Sequence, residues 1–217
     1  MKEQADISAS DEAASHKGEF FLIDSSFRED HQVPGIEIAN EDKLIKPGMY
    51  VISRPNGDPD QYSERPHLAH LPEKGPPPRD LEELAGIWIV SKPLKQVLEQ
   101  IDAKAFAFVA CDFSLADGSQ GPQYFLGNVL RNLNALDEAL SKVKIKFEHN
   151  YMTGEDEKFY SIVGGASLVF NRDMVGRDTH VFRQEMMGAP PICDRVMFDA
   201  LSDHCFSGVR LRDATDL

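Results

Sequence analysis

Apolar residues fall at helical spacing inside the stretch Ile87–Phe108, IWIVSKPLKQVLEQIDAKAFAF. Ile87–Val90 opens it with residue types that suit a pleated, half-buried strand. Ser91 can accept hydrogen bonds from the free N–H groups of a helix start, and Pro93 falls in the first turn, where its missing N–H loses no intrahelical bond. Leu94, Val97, Leu98 and Ile101 then stand at i, i+3, i+4 and i+7 and share one face. After Asp102–Lys104, Phe106 and Phe108 alternate as in a strand. The pattern predicts strand, capped helix, strand. It returns without a gap 103 positions on (Ser91 to Asp194), in PICDRVMFDALSDHCFSGVRL. There Asp194 takes the cap position, Leu201 stands for Leu98, and Val209 and Leu211 stand for Phe106 and Phe108.

The remaining pattern is mostly strand-like and short. Residues 1–18 are small, polar and charged, and predict a disordered tail. Phe20–Ile23 predicts a strand, Asp24–Pro34 a polar loop, and Ile36 with Ile38 and then Tyr50–Ile52 two further short strands. Residues 53–79 carry Pro55, Pro59, Pro66, Pro72 and Pro76–Pro78, which exclude a continuous helix or central strand. This Pro-rich loop fits either a mobile binding loop or a packed surface meander. Asp80–Leu84 is expected to begin a short helix, the strand after Ala105 to run to about Phe113, and Asp117–Gly118 to turn. Val143–Phe147 alternates as a strand, Thr153–Lys158 reads as a charged turn, Gly164–Gly165 as a bulge or tight turn, and Val181–Phe182 as a strand. Many strands and few helices, not regularly alternating, argue an α+β fold. The expectation is a mixed, mostly antiparallel sheet within one domain over 19–217, containing two similar strand–helix–strand units.

Taken in order, W-x-V-S at Trp88–Ser91, the helix behind it, YFLGNVLRNLNALDEALS at Tyr124–Ser141, HVFR at His180–Arg183 and the second strand–helix unit resemble the immunity-protein-eleven family of polymorphic-toxin loci. The resemblance spans about Phe20 to Arg212 and is carried chiefly by Trp88, Ser91, Asn128, Leu136, Asp137 and Ser141. It implies an intracellular α+β protein that binds and neutralises a cognate toxin, often a nuclease, and it implies no catalytic residues. It also bears on Tyr124–Ser141. Leu126, Val129, Leu130, Leu133 and Leu136 have helical spacing, whereas the family's stretch reads as a strand followed by a turn. A strand to about Leu133 and a helical turn near Asp137–Leu140 are expected.

Charge narrows the function classes. In 217 residues, 36 Asp and Glu against 23 Lys and Arg give a net charge of −13. That balance opposes binding to a nucleic-acid backbone and favours bare solubility or a basic partner. The three cysteines, Cys111, Cys193 and Cys205, form no C-x-x-C pair and fit a reducing compartment. No apolar run approaches the ~18 residues of a membrane span, and the N-terminus has no apolar signal core. A cytoplasmic protein with no membrane partner is the expectation.

No catalytic, cofactor or metal residue is assigned. His67-x-x-His70 could offer two imidazoles on a helix, but Pro66 and Pro72 crowd it and no third ligand stands nearby. His204–Cys205 are adjacent, so their side chains diverge on a helix, and Cys193 replaces Val90 as a small apolar residue would. Gly165-x-Ser167 lacks the second glycine of a nucleophile elbow. Trp88, at the head of a buried strand, reads as core. The candidate partner contacts are the acidic pairs and runs Glu82, Glu83, Glu155, Asp156 and Glu157, which could face Lys and Arg around a toxin groove. Plugging by the Pro-rich loop is the steric alternative. An enzyme of unrecognised type and a non-toxin adaptor of the same fold stand beside the inhibitor.

Overall fold

The computed structural model describes residues 15–28 and 32–217. In chain order, the first half of the chain forms β1 (Phe20–Ser25), β2 (Ile36–Ile38), α1 (Glu41–Leu44), β3 (His67–His70), β4 (Leu81–Leu84), β5 (Ile87–Ser91), α2 (Lys92–Asp102), β6 (Phe106–Ala110) and β7 (Asp112–Ser114). Then follow β8 (Tyr124–Val129), β9 (Asn132–Leu133), β10 (Lys144–Asn150), β11 (Glu155–Ser161), α3 (Arg172–Val175), β12 (Val181–Gln184), β13 (Ile192–Asp194), α4 (Arg195–His204) and β14 (Val209–Asp213). The fold is α+β, with mixed, mostly antiparallel sheets. Contacts divide the chain into two units. One holds the described residues up to Asp24 with Arg131–Asp199 and Leu211–Leu217; the other holds Ser25–Leu130 and Ala200–Arg210.

In the second of these, β4, β5, β8 and β6 lie in that order in one sheet. Ser91 caps α2 by accepting from the Leu94 N–H at 3.4 Å, and Leu94, Val97 and Leu98 are buried along one face of the helix. Strand β8 runs antiparallel to both β5 and β6, so it lies between the two strands that α2 connects. Gly127 sits opposite both Trp88 and Phe108. A Cβ there would come within 3.0 Å of Phe108 and Val90, so this strand glycine makes room for those two side chains. A second sheet, in the order β2-β3-β7, joins Ile36, Leu68 and Phe113 to Ile87, Ile89 and Leu126 in one core cluster.

The five-stranded sheet repeats the arrangement. It runs β14-β1-β13-β12-β9, and β1, antiparallel to β13, takes the place that β8 has between β5 and β6. Asp194 Oδ1 accepts from the Met197 N–H at 3.2 Å and starts α4 as Ser91 starts α2. The second helix stops one residue sooner in register, where Cys205 turns to φ 49°. The expected pair of strand–helix–strand units is therefore present at both places. The strand inserted between the parallel pair follows the helix in one unit and precedes everything else in the other. β1 is covered on both faces: Phe20 meets Phe170 and Phe182 edge-on at 5.3 and 6.1 Å, and Phe21 stacks on Phe198 of α4 at 3.9 Å.

Several expectations are corrected. Asp80–Leu84 is no helix: Leu81–Leu84 is β4, joined to β5 by Ala85–Gly86 with φ 50° and 77°, the double left-handed signature of a tight hairpin. Tyr50–Ile52 is no strand. It has no ladder partner, and only Ile52 is buried, while Tyr50 stands 96% exposed. The strand expected to reach Phe113 breaks at Cys111, after which β7 joins the other sheet. Thr153–Lys158 is mostly strand β11, the turn lying before it. Within the Pro-rich stretch, His67–His70 forms β3, which pairs β2 on one side and β7 on the other. The remainder is a packed meander: buried Gln61 donates to the Arg54 carbonyl at 2.7 Å and accepts from the Asn56 N–H at 2.7 Å. Of the tail expected over 1–18, residues 1–14 lie outside the described residues, and the Gly18 N–H donates to Asp213 Oδ2 at 2.8 Å.

Candidate functional site

The acidic run Glu155–Glu157 lies on β11, which forms a two-stranded antiparallel hairpin with β10 and makes one further bridge, from Tyr160 to Met187. The register sets Phe147 opposite Lys158, Glu148 opposite Glu157, His149 opposite Asp156 and Asn150 opposite Glu155. Because side chains alternate along a strand, Glu148, Glu155 and Glu157 share one face; Asp156 turns to the other, where His149 Nδ1 lies 2.9 Å from its Oδ1. No Lys or Arg among the described residues pairs with Glu148, Glu155 or Glu157; Glu157 accepts from Asn150 Nδ2 at 2.6 Å. Two like charges directly opposite each other destabilise a strand pair, and Glu148 with Glu157 is such a pair.

The hairpin is held in its lower half, up to Lys158, and is exposed toward its tip. Lys158 Nζ and the Tyr160 hydroxyl both donate to Glu138, which holds the Glu138 carboxyl below the usual range through those hydrogen bonds. The Tyr160 ring is buried in the core with Phe20, Leu168 and Phe182, and its N–H donates to the Met186 carbonyl at 2.7 Å. The turn is equally defined. Asn150 Oδ1 accepts from the Met152 and Thr153 N–H groups at 2.8 and 3.3 Å, and Gly154, at φ 76°, donates its N–H to the Asn150 carbonyl at 2.7 Å.

Glu82 and Glu83 belong to the other unit and differ sharply from each other. Glu83 is exposed on β4, the edge strand of its sheet. Glu82 is 2% exposed. Arg79 grips it with a fork, Nε to Oε1 at 2.9 Å and Nη2 to Oε2 at 3.1 Å, while the Arg79 N–H and the Arg28 guanidinium also donate to Oε1. Burial alone would raise this carboxyl; the Arg79 hydrogen bonds and the two guanidinium charges outweigh it and hold it below the usual range. Glu82 is consequently saturated within the fold and offers nothing to a partner. Neighbouring Asp80 ties together Ser91 Oγ at 2.7 Å and the Ser207 N–H and hydroxyl at 2.9 and 2.6 Å.

The other chemical candidates have local roles. His67 and His70 lie on opposite faces of β3, and His67 Nε2 is 2.8 Å from Ser114 Oγ. His204 Nδ1 lies 2.8 Å from the Ala200 carbonyl, and Cys205 Sγ 3.4 Å from the Ser202 carbonyl, one helical turn back. Burial pushes the Cys111 thiol up to about 12, and pushes Cys193, with the Asp194 charge beside it, well above the usual thiol range. Neither favours the thiolate a nucleophile needs.

The residues that carry the family resemblance hold the fold together. Trp88 is buried at 3% exposure, Ser91 caps α2, and Asn128 Nδ2 donates to the Pro55 carbonyl at 2.9 Å. Leu136 lies in the core with Phe170, Asp137 Oδ1 accepts from the Ala139 and Leu140 N–H groups, and Ser141 Oγ accepts from the Val169 N–H at 2.9 Å. The model of the Imm11 immunity protein family matches residues 19–216. The chain belongs to this family. No curated protein matches the chain. Membership suggests a toxin-neutralising role and a toxin as partner. The Imm11 match covers both strand–helix–strand units and the hairpin alike. No helix among the described residues is long and apolar enough to cross a membrane.

Proposed function

We propose that this protein neutralises its cognate toxin in the cytoplasm by binding alone, that the toxin is a basic domain of the kind that grips phosphates, a nuclease for instance, and that carboxylates occlude its groove. The observation that carries this reading is the β10–β11 hairpin: Glu148, Glu155 and Glu157 share one face with no Lys or Arg among the described residues paired to them. Such a face presents clustered negative charge that a phosphate-binding groove would attract, and Lys or Arg on the toxin would relieve the opposed Glu148–Glu157 pair. The chain's net charge of −13 adds a long-range attraction. Glu83, exposed on its edge strand, is a further carboxylate for such a contact. The Pro-rich stretch is a weaker candidate for a plug, since β3 is committed to a sheet on both edges.

Complementary charges act mainly on the association rate, which falls as salt screens them beyond about 8–10 Å. The triple reversal Glu155→Lys, Asp156→Lys, Glu157→Lys should slow association with the toxin by about 10-fold or more at low ionic strength. The melting temperature should hold, because all three side chains are exposed. Stopped-flow association over a salt series, with wild type and variant, measures both effects. An association rate indifferent to salt and to the reversal would remove the electrostatic mechanism.

A further inference from the structure

The hairpin ends in apolar side chains that nothing in the described chain covers. Tyr151 is 91% exposed, Met152 95% and Phe147 69%. The turn that presents them is fixed by the Asn150 hydrogen bonds and by Gly154, and the His149 ring stands edge-on to Tyr151 at 5.0 Å. A defined loop holding an aromatic ring and a thioether in water, at the tip of a hairpin held in its lower half, has the composition of an interface anchor. The charge around it limits what it can enter. Residues 148–157 contain four acids and no Lys or Arg. A second copy of this chain would bring the same acids, and an anionic membrane or a nucleic acid would be repelled likewise. A cationic protein surface fits.

We propose that Tyr151 and Met152, with Phe147 behind them, seat in an apolar recess of the toxin whose rim carries Lys and Arg, and that the hairpin carboxylates engage that rim. This rests on the toxin-binding reading and divides the labour within it. The charges set how fast the complex forms, and the desolvated tip sets how slowly it comes apart. A few buried aromatic or apolar side chains ringed by polar contacts commonly hold most of the affinity of an interface. Met suits a recess whose shape it must follow, since it is unbranched and polarisable.

The probe is the polypeptide that co-purifies with the full chain and kills cells when expressed without it. The double variant Tyr151→Ala, Met152→Ala touches no core residue, so its melting temperature should match wild type. Surface plasmon resonance should show dissociation accelerated by about 30-fold or more, with the association rate changed by less than about 3-fold. The charge-reversal variant should show the opposite split. Dissociation of the double variant within about 3-fold of wild type, while the wild-type chain still protects cells, would overturn the anchor and leave the toxin-binding reading standing. If no co-purifying polypeptide is toxic alone and rescued by this chain, the toxin-binding reading itself falls, and the anchor with it.

Discussion

Replacing Glu82 by Gln should cost about 3–5 kcal/mol of stability, because it leaves two guanidinium groups beside a buried, uncharged amide. Arg79 and Arg28 converge on this carboxylate at 2% exposure, and Arg79 also binds Ser26, donating from Nη1 to its hydroxyl at 2.9 Å and from Nη2 to its carbonyl at 2.7 Å. Removing one member therefore loosens the chain on both sides of β4. The same group sets a pH dependence. Its carboxyl lies below its ordinary value of 4.5 in the folded protein, so the unfolded chain takes up the proton first as pH falls. The stabilisation is complete above about pH 4.5 and is lost as pH drops through the folded value. Denaturant titrations at neutral and acid pH should show wild type losing stability over that window and the variant losing less. Equal melting temperatures at neutral pH would show that the arginines do not need Glu82.

Trp88→Ala should cost about 3–5 kcal/mol through lost burial and the cavity left behind. Trp88 is 3% exposed, on the face of β5 opposite Ile87 and Ile89, and pairs across the ladder with Gly127. That pairing adds a second expectation. Gly127→Ala should also destabilise, since its Cβ would crowd Phe108 and Val90 at 3.0 Å, and the combination with Trp88→Ala should depart from the sum because the two residues face each other across the ladder. Chemical denaturation of the two single variants and the double variant measures this. A Trp88→Ala protein that keeps its melting temperature yet loses its partner would move Trp88 from core to interface.

Where local chemistry and periodicity agreed, the fold was readable in advance. Ser91 with Leu94, Val97 and Leu98, and Asp194 with Leu201, marked both caps and the helix faces behind them. What escaped was set by distant partners. Leu81–Leu84 looked helical because its strand identity depends on β5 and on an Ala85–Gly86 turn whose first residue rarely takes positive φ. His67–His70 was hidden between Pro66 and Pro72, yet both prolines stand just outside the strand, where no ladder N–H is demanded. The placement of β1 between β13 and β14 joins segments far apart in the chain, which no window can reveal.

The candidate site divides along the same line. Glu155, Asp156 and Glu157 were visible as a run of charge, but as a turn, because the solvated half of β11 carries no apolar alternation. The sharing of a face by Glu148, Glu155 and Glu157 follows from the register, which the turn from Asn150 to Gly154 sets. Glu82 could not be told from Glu83 until Arg28 and Arg79 were placed beside it. Tyr151 and Met152 were not singled out, since two apolar residues between Val143–Phe147 and the charged stretch Thr153–Lys158 show no period of their own.

The central claim, neutralisation by affinity without turnover, is tested most directly by titrating a fixed amount of active toxin with increasing amounts of this protein and following residual toxin activity over time. A stoichiometric inhibitor removes activity in proportion to the amount added, and the residual activity stays constant on longer incubation. That is the expected result, with full activity returning when the complex is dissociated. Continued loss of toxin activity with time at substoichiometric amounts of this protein would mean that it modifies or destroys the toxin catalytically, and would contradict the account.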